Sequence, residues 1–396
     1  MQYAQELFAV LGVGLFAVII FALLVSVTVR KSLRLSAVDA IIVVFTVWCI
    51  AVSLIYYEAV RLAEITKLLI PLLTYTVVKN IVRDVRQFKQ LVFWIIVGFA
   101  GPAIASALLI AIHWPSAVDM INYWTGVTRW QGVYTHSHNL GHSMTLLLIA
   151  LVLYGTLSRL ESDGQQTALL GGRNILLALL GAVALYCLYM SQVRSAILGL
   201  LTFTLIYLYH FNKKLLLFGT AGMVFLAAVT VPYWFAGMFP DFGAAERGVE
   251  VTTMQLGSGR PTLWLNDIVV FSNLPIDQKL AGAGIGATDL GTQGELVGHN
   301  DWIELLTQTG LVGLGLYISL QIVILRTILR LKGKERYFFV GLFAAVNLMM
   351  AVSNSYVWRI QVSQLYFMML AYIEISRPTS EPAMTGIASP VVRMQS

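Results

Sequence analysis

The sequence predicts an all-α membrane protein with about 11 to 12 transmembrane helices. Its 396 residues are 58% hydrophobic and 12% charged, whereas about a quarter of the residues in an average soluble domain are charged. Apolar stretches of about 18 or more residues recur along nearly the whole chain, and each is long enough to cross a hydrocarbon core of about 30 Å. The alternative, a soluble protein with many buried helices, is disfavoured by this composition.

Hydropathy places the membrane spans along the chain. They are residues 7–29, 37–57, 66–82, 91–112, 140–157, 174–192, 195–211, 215–236, 303–325, 337–355 and 360–376. We expect residues 1–376 to form a single transmembrane domain, in which residues 237–302 make a large outer loop containing short helices. Residues 377–396 are rich in Pro, Ser and Thr and are expected to be a disordered cytoplasmic tail.

Basic residues cluster on alternate connections between the predicted spans, and acidic residues favour the other connections. Because cytoplasmic loops carry an excess of Lys and Arg, this pattern predicts an outer N-terminus and a cytoplasmic C-terminus. The net charge of +6 follows from this topology and gives no reason to expect nucleic-acid binding. The basic groups are Arg30, Lys31 and Arg34; Lys79, Arg83, Arg86 and Lys89; Arg159 and Arg173; Lys213 and Lys214; and Arg326, Arg330, Lys332, Lys334 and Arg336.

The polar chemistry of the chain is concentrated on two outer connections, residues 113–138 and 237–302. The cytoplasmic connections are too short to hold a nucleotide-binding domain, and the chain has no phosphate-binding loop motif between a strand and a helix. Cys49 and Cys187 both fall inside predicted spans, which excludes a disulfide framework and the usual metal-ligand spacings. The sequence therefore predicts activity at the outer face without a cytoplasmic energy module.

Two arginines stand out at the outer face. Arg194 lies between two predicted spans, at a depth where a charge is costly unless it has a partner or faces a cavity. Arg260 lies in the Gly-rich stretch "GSGRPTLW" of the large loop. Because a guanidinium makes bidentate, permanently charged hydrogen bonds, the two arginines are suited to hold a lipid-linked diphosphate as a leaving group. The alternatives are headgroup contact for Arg194 and a surface salt bridge for Arg260.

The stretch from 299 to 304 combines a histidine with helix-start chemistry. Asn300 is suited to cap the following helix, and Asp301 and Glu304 complement its positive dipole end. His299 precedes the helix and is not needed as a cap. With an ordinary pKa of about 6.5, a histidine accepts a proton at neutral pH, as a general base must. A purely structural histidine is the alternative.

Three further histidines, His136, His138 and His142, stand close together in "THSHNLGH". Their spacing raises the possibility of a zinc site, but a polar wall of the site or an interface turn is the preferred interpretation because no second ligand set is nearby. Aromatic residues of the same loop are suited either to stack on sugars or to form an interfacial belt. They are Trp114, Tyr123, Trp124, Trp130 and Tyr134.

Five motifs, in order, resemble those of the O-antigen ligase and Wzy polymerase superfamily. "GHNDWIELLTQTGLVGLGLY" (298–317) is similar to the His-Asn pair and leucine-rich helix that end in a Gly-x-x-Gly step. "GSGRPTLW" (257–264) resembles the Gly-Arg segment with a nearby Trp, and "AGAGIG" (281–286) the Gly-x-Gly turn. "SQVRSAILGLL" (191–201) resembles the Ser-x-x-Arg at a span end, and "RWQGVYTHSHNLG" (129–141) an Arg-x-x-Gly…Asn segment.

This resemblance implies a metal-independent, inverting glycosyltransferase of the GT-C type in the bacterial inner membrane, with its site facing the periplasm. It would move a glycan from undecaprenyl diphosphate to an acceptor hydroxyl on a glycan, on lipid A–core or on another lipid-linked unit. His299 carries over as the catalytic base, and Arg194 and Arg260 as diphosphate and transition-state ligands. Further substrate-binding positions are Arg129, His138, Asn139, Arg247, Trp264 and Asn300.

The resemblance leaves the acceptor open. An O-antigen or exopolysaccharide polymerase, an O-antigen ligase and a protein O-oligosaccharyltransferase share the donor chemistry and the motifs. A lipid-linked glycan flippase or transporter is the alternative from another class, although a transporter is expected to show internal repeats and paired broken helices, and no convincing repeat is present.

Overall fold

The structure is a computed structural model of the chain, and it describes residues 35–56, 62–121, 128–161, 172–211, 260–285, 300–353 and 360–376. These residues are almost entirely helical, which confirms the prediction of an all-α polytopic protein. The helices are α1 (Ala37–Ile55), α2 (Leu62–Ile81), α3 (Val85–Ala111), α4 (Ser137–Glu161), α5 (Gly172–Ser191), α6 (Arg194–Phe211), α7 (Arg260–Asn273), α8 (Ile276–Ala281), α9 (Asp301–Leu329), α10 (Gly333–Val352), α11 (Ile360–Leu370) and α12 (Tyr372–Ile375).

Among the described residues, six helices are long and apolar enough to cross a membrane: α1, α3, α4, α5, α9 and α10. They match the predicted spans at 37–57, 91–112, 140–157, 174–192, 303–325 and 337–355. The predictions at 66–82 and 360–376 coincide with shorter apolar helices, Leu68–Ile81 and Val362–Ile375, and the one at 195–211 coincides with α6. Predicted spans 7–29 and 215–236, the tail and much of the loop 237–302 lie outside the described residues.

Helix α6 packs along α10, and glycines on both helices allow a close approach. A Cβ atom added to Gly199 of α6 would lie 2.8 Å from the sulfur of Met349, and one added to Gly341 of α10 would lie 3.1 Å from the ring of Phe203. Small residues at helix contacts are typical of membrane proteins, in which packing rather than water drives association. Helix α1 packs along α9, and α2 packs along α11.

A buried ion pair joins the first two helices of the described chain. Asp39 of α1 contacts the Lys79 ammonium of α2, and both side chains are almost fully buried. The Asp39 carboxylate also accepts hydrogen bonds from Thr76 Oγ1 at 2.8 Å and from Ser36 Oγ at 2.7 Å. Lys79 therefore belongs to the last turn of α2, inside the predicted span 66–82, and not to the connection that follows it. Asp39 offsets the cost of burying it.

The connection between α3 and α4 contains a short 3-10 helix, Pro115–Ala117, and a hairpin. Strand β1 (Val118–Ile121) pairs antiparallel with β2 (Thr128–Trp130), with Met120 opposite Arg129. The register is irregular between Val118 and Met120. This small sheet, which the sequence did not indicate, positions the residues that lead into α4.

Candidate functional site

Asp119 of the hairpin fixes the start of α4. Its Oδ2 accepts a hydrogen bond from the Ser137 backbone N–H at 2.9 Å, and its Oδ1 lies 3.5 Å from Nδ1 of the exposed His136. A carboxylate at a helix N-terminus satisfies a free N–H group and complements the dipole. Arg129 is part-buried on β2, and burial lowers the pKa of its guanidinium, an effect that the charge of Asp119 opposes.

The "RWQG" part of this segment makes a close turn against α3. Gly132 has a φ of +61°, and a Cβ atom there would overlap the side chain of Ser106. The Ser106 hydroxyl lies 3.2 Å from the Val133 N–H, from which it accepts a hydrogen bond, and the Gln131 N–H donates to the Ala117 carbonyl at 2.8 Å. The turn therefore requires glycine at position 132, and it fixes the hairpin on the end of α3.

The start of α4 packs on the junction between α5 and α6, where Arg194 is the first residue of α6. His142 Nε2 lies 3.0 Å from Ser195 Oγ, and Thr145 Oγ1 donates to the Ala196 carbonyl at 3.0 Å. A Cβ atom on Gly141 would lie 2.8 Å from Cβ of Val193. The structure thus brings together two of the five motifs, the end of "RWQGVYTHSHNLG" and the start of "SQVRSAILGLL".

Arg194 is part-buried at this junction. A cation in the first turn of a helix opposes the helix dipole, so the stability of α6 does not explain an arginine at this position. Gln192, two residues earlier, adopts a φ of +53°, which is uncommon for a residue other than glycine. The connection between α5 and α6 therefore places Arg194 at the end of the helix pair, and it does so through an unfavourable backbone conformation at Gln192.

The three clustered histidines have different contacts. His136 faces Asp119, whereas His142 is fully buried against Ser195. The ring of His138 lies 6.2 Å from that of His142, measured between centroids. Asn139 donates from Nδ2 to Thr135 Oγ1 at 3.0 Å. Within the described ranges, no group of three or more His, Cys, Asp or Glu side chains is arranged to hold a metal ion.

Helices α7 and α8 lie within the predicted outer loop, and both pack on α9. Arg260 is the first residue of α7; the structure describes its backbone only. Trp264 and Asp267 follow at spacings of four and three, so all three positions share one side of α7. Asp267 has a relative exposure of 9%, and burial raises the pKa of its carboxyl group to about 6.

The opposite side of α7 is apolar and exposed: Leu265, Ile268 and Val269 have exposed fractions of 60%, 48% and 48%. Amphipathic helices of soluble proteins usually bury their apolar side, whereas in α7 these apolar residues are exposed, Trp264 is part-buried and Asp267 is buried.

Helix α9 is broken at Gly310, which has a φ of 68° and a ψ of −174°. The Gly-rich turn after α8 docks against this break: the Ala283 N–H donates to the Thr307 carbonyl at 3.0 Å, and the Gly284 N–H to the Gln308 carbonyl at 3.2 Å. The indole N–H of Trp48 in α1 donates to the Thr309 carbonyl at 2.9 Å. Three carbonyl groups next to the break thus obtain partners from outside the helix, as irregular backbone at membrane depth requires.

The two chain segments at this break approach so closely that only glycine fits. A Cβ atom on Gly310 would lie 2.6 Å from the carbonyl carbon of Ala281, and one on Gly282 would lie 2.6 Å from Cα of Thr309. Gly282 also has a φ of +97°. The "AGAGIG" stretch and the Gly-x-x-Gly step of α9 are therefore two halves of one contact.

Asn300 caps α9, as predicted. Its Oδ1 accepts hydrogen bonds from the Trp302 N–H at 3.0 Å and from the Ile303 N–H at 3.3 Å. Asp301 and Glu304 lie in the first turn, where they complement the helix dipole as predicted. Both side chains are fully buried, although a charge can complement the dipole from an exposed position.

The structure places the predicted site residues in two groups. The first group surrounds the start of α4 and contains Arg129, His138, Asn139 and Arg194. The second group belongs to the unit of α7, α8 and α9 and contains Arg260, Trp264 and Asn300. His299, which directly precedes the cap, and Arg247 lie outside the described residues.

Sequence reasoning missed Asp119, whose contact with Ser137 leaves no local pattern, and Asp267. The spacing 260, 264, 267 on one helix side is the signal that points to Asp267.

The family model of the O-antigen ligases matches residues 179–318. The match runs from α5 across the Arg194 junction and the large loop to just beyond the break in α9, and the segment 129–141 lies before it. The match confirms the resemblance that the motifs indicate. No curated protein matches the chain.

Proposed function

Since residues 179–318 carry the O-antigen ligase domain, we propose that this multi-pass membrane protein transfers a glycan from undecaprenyl diphosphate to an acceptor hydroxyl at the periplasmic face of the bacterial inner membrane. The single observation that carries the proposal is the extent of the family match. It includes the Arg194 junction, the Arg260 helix and the capped, broken helix α9, which are the places where three of the motifs for this chemistry fall.

Arg194 and Arg260 hold the diphosphate of the donor in this proposal. Each guanidinium makes two parallel hydrogen bonds to phosphate oxygens, and the charges stabilise the diphosphate as it leaves. The position of Arg194 at a helix start, where the dipole disfavours a cation, supports a role in anion binding. Because the leaving group is already activated, the reaction needs neither a nucleotide nor a metal ion.

His299 is the catalytic base of the proposal. It takes a proton from the acceptor hydroxyl as the oxygen attacks the anomeric carbon, and the bond from that carbon to the diphosphate breaks on the opposite face, which inverts the configuration. Asn300 supports this role indirectly, because its cap fixes the start of α9 beside His299. Arg129, His138, Asn139, Arg247 and Trp264 contact the glycan substrates.

The acceptor is a growing glycan, lipid A–core or another lipid-linked unit, so that the chain acts as an O-antigen or exopolysaccharide polymerase or as an O-antigen ligase. Protein O-oligosaccharyl transfer is the alternative within the superfamily. A flippase is the alternative from another class, and the ion pair of Asp39 with Lys79 does not favour it, since this charged pair is accounted for by helix packing.

The test is a transfer assay with the full chain purified in detergent. Undecaprenyl-diphosphate-linked glycan is supplied with a second lipid-linked unit, with lipid A–core or with an acceptor protein, and products are separated by mass. A new glycosidic product together with released undecaprenyl diphosphate supports the proposal and identifies the acceptor. If reconstituted protein moves the intact lipid-linked glycan across a bilayer and cleaves none of it, the flippase is the correct function.

A further inference from the structure

Two polar groups on α7 are buried without partners in the described part of the chain. They are the indole N–H of Trp264 and the Oδ2 atom of Asp267, and neither atom has a hydrogen-bond partner. A buried polar group without a partner costs about 1–3 kcal/mol, so two such groups one turn apart reduce the stability of the loop. Most buried polar groups in native proteins have a hydrogen-bond partner, so each exception requires an explanation, and a ligand that supplies the missing partner is one.

The two groups complement each other chemically. The indole N–H is only a donor, and an ionised carboxylate is only an acceptor. A hydroxyl group both accepts and donates, so neighbouring hydroxyl groups on one molecule satisfy both. The flat indole also offers a surface for the apolar face of a sugar ring.

The position of the pair relates it to the proposed diphosphate site. Trp264 and Asp267 stand three apart in sequence, which places their Cβ atoms about 5–6 Å apart on one side of a helix. Arg260 begins the same side, and Asp267 lies about 10 Å farther along the axis at 1.5 Å per residue. A molecule that reaches from Arg260 to Asp267 therefore extends well beyond a diphosphate.

We propose that Trp264 and Asp267 form a sugar-binding subsite that holds hydroxyl groups of the glycan next to the diphosphate. This inference rests on the proposed function. Both atoms are closed off from solvent, so the two side chains must change position for the glycan to reach them. Its hydroxyl groups then supply the partners that the two side chains lack in the free protein.

The experiment compares Asp267→Asn and Trp264→Phe with wild type in the transfer assay. Asparagine keeps the shape but loses the charge-assisted bond, and phenylalanine keeps the ring but loses the N–H. We expect Asp267→Asn to raise KM for the lipid-linked glycan roughly 10-fold, from the strength of one hydrogen bond to a charged group, and Trp264→Phe to raise it roughly 3-fold, because its bond to a hydroxyl is neutral. The effect on kcat should be smaller in both variants. Asp277→Asn is the control for an exposed aspartate in the same loop, and Trp94→Phe for an exposed tryptophan; neither is expected to change KM.

A stability measurement separates binding from a structural role. Asp267→Leu removes a buried carboxylate without a partner, so the thermal midpoint of the purified protein should rise by roughly 2–5 °C, while KM rises as in Asp267→Asn. A KM within twofold of wild type in both Asp267 variants overturns the proposal, as does a fall in kcat alone.

A binding assay keeps the subsite testable if wild type shows no transfer, in which case the proposed function fails by itself. The thermal midpoint is then measured with undecaprenyl-diphosphate-linked glycan and with undecaprenyl diphosphate that carries no sugar. The subsite predicts a larger shift with the glycan, and Asp267→Asn should abolish the difference. Equal shifts for the two lipids in wild type overturn the subsite.

Discussion

Gly310→Ala is expected to destabilise the protein severely, because the break in α9 admits no side chain. The backbone there, with φ 68° and ψ −174°, lies in a region that is nearly exclusive to glycine and costs other residues about 1–3 kcal/mol. The added methyl group would also meet backbone atoms of Leu280, Ala281 and Gly282, none of which can rotate away as a side chain would.

The magnitude follows from what must move. To admit the methyl group, the turn after α8 has to withdraw, which breaks the hydrogen bonds from Ala283 to Thr307 and from Gly284 to Gln308. Each carbonyl left without a partner costs about 1–3 kcal/mol. Together with the backbone cost, the expected loss of unfolding free energy is at least about 3 kcal/mol, or roughly 5 °C or more in the thermal midpoint.

The assay is thermal unfolding of the purified full chain in detergent, followed by loss of the monodisperse peak in size-exclusion chromatography. Gly315→Ala is the matched control, because this glycine lies in the same helix and a Cβ atom there would meet nothing within 4 Å. We expect the control to melt within about 2 °C of wild type. If Gly310→Ala melts with the control, the close contact at the break is not what holds the turn on α9.

Four further predictions concern the site and the core. His299→Ala should fold but lose transfer by about 10²–10⁴-fold, the usual contribution of a general base; near-normal transfer at matched membrane levels would exclude that role. Arg194→Lys and Arg260→Lys should be nearly as inactive as the alanine variants, because lysine lacks the bidentate fork. Arg247→Lys should be milder, because a contact with a sugar does not need the bidentate fork that a diphosphate uses. Retained activity in both of the other lysine variants contradicts the clamp. Transfer in detergent should proceed without nucleotide and with EDTA, and a strict need for Mg²⁺, Mn²⁺ or ATP refutes the proposed energetics. Lys79→Met should lower the free energy of unfolding by about 3–5 kcal/mol because it leaves a buried carboxylate without its ion-pair partner; an unchanged thermal midpoint would show that the pair is dispensable.

The elements that the sequence predicts well are those that local chemistry determines. The Asn300 cap was predictable because a helix start requires an acceptor within two or three residues of the N–H groups that it satisfies. The six long helices were predictable because a membrane span is a continuous apolar stretch.

The elements that the sequence predicts poorly depend on contacts between distant parts of the chain. The apolar stretch 303–325 reads as one continuous span, whereas the donors that permit its break at Gly310 come from the turn after α8 and from Trp48. Lys79 reads as a loop charge because its partner Asp39 lies in another helix. The glycines of "AGAGIG" indicate a close approach, but local pattern does not say that the other surface is α9.

The docking of the turn onto α9 has a consequence for the stretch 286–299, which ends at His299. Its two flanks, the turn at 282–285 and the cap at Asn300, are fixed on the same half-helix by the contacts at Thr307 and Gln308 and by the cap itself. The residues between these two fixed points close a loop, and the entropic cost of closing a loop changes by only about 0.6 kcal/mol for each doubling of its length. Changing the length of this connection should therefore cost little stability, whereas a side chain at Gly282 or Gly310 would separate the two fixed points at its base.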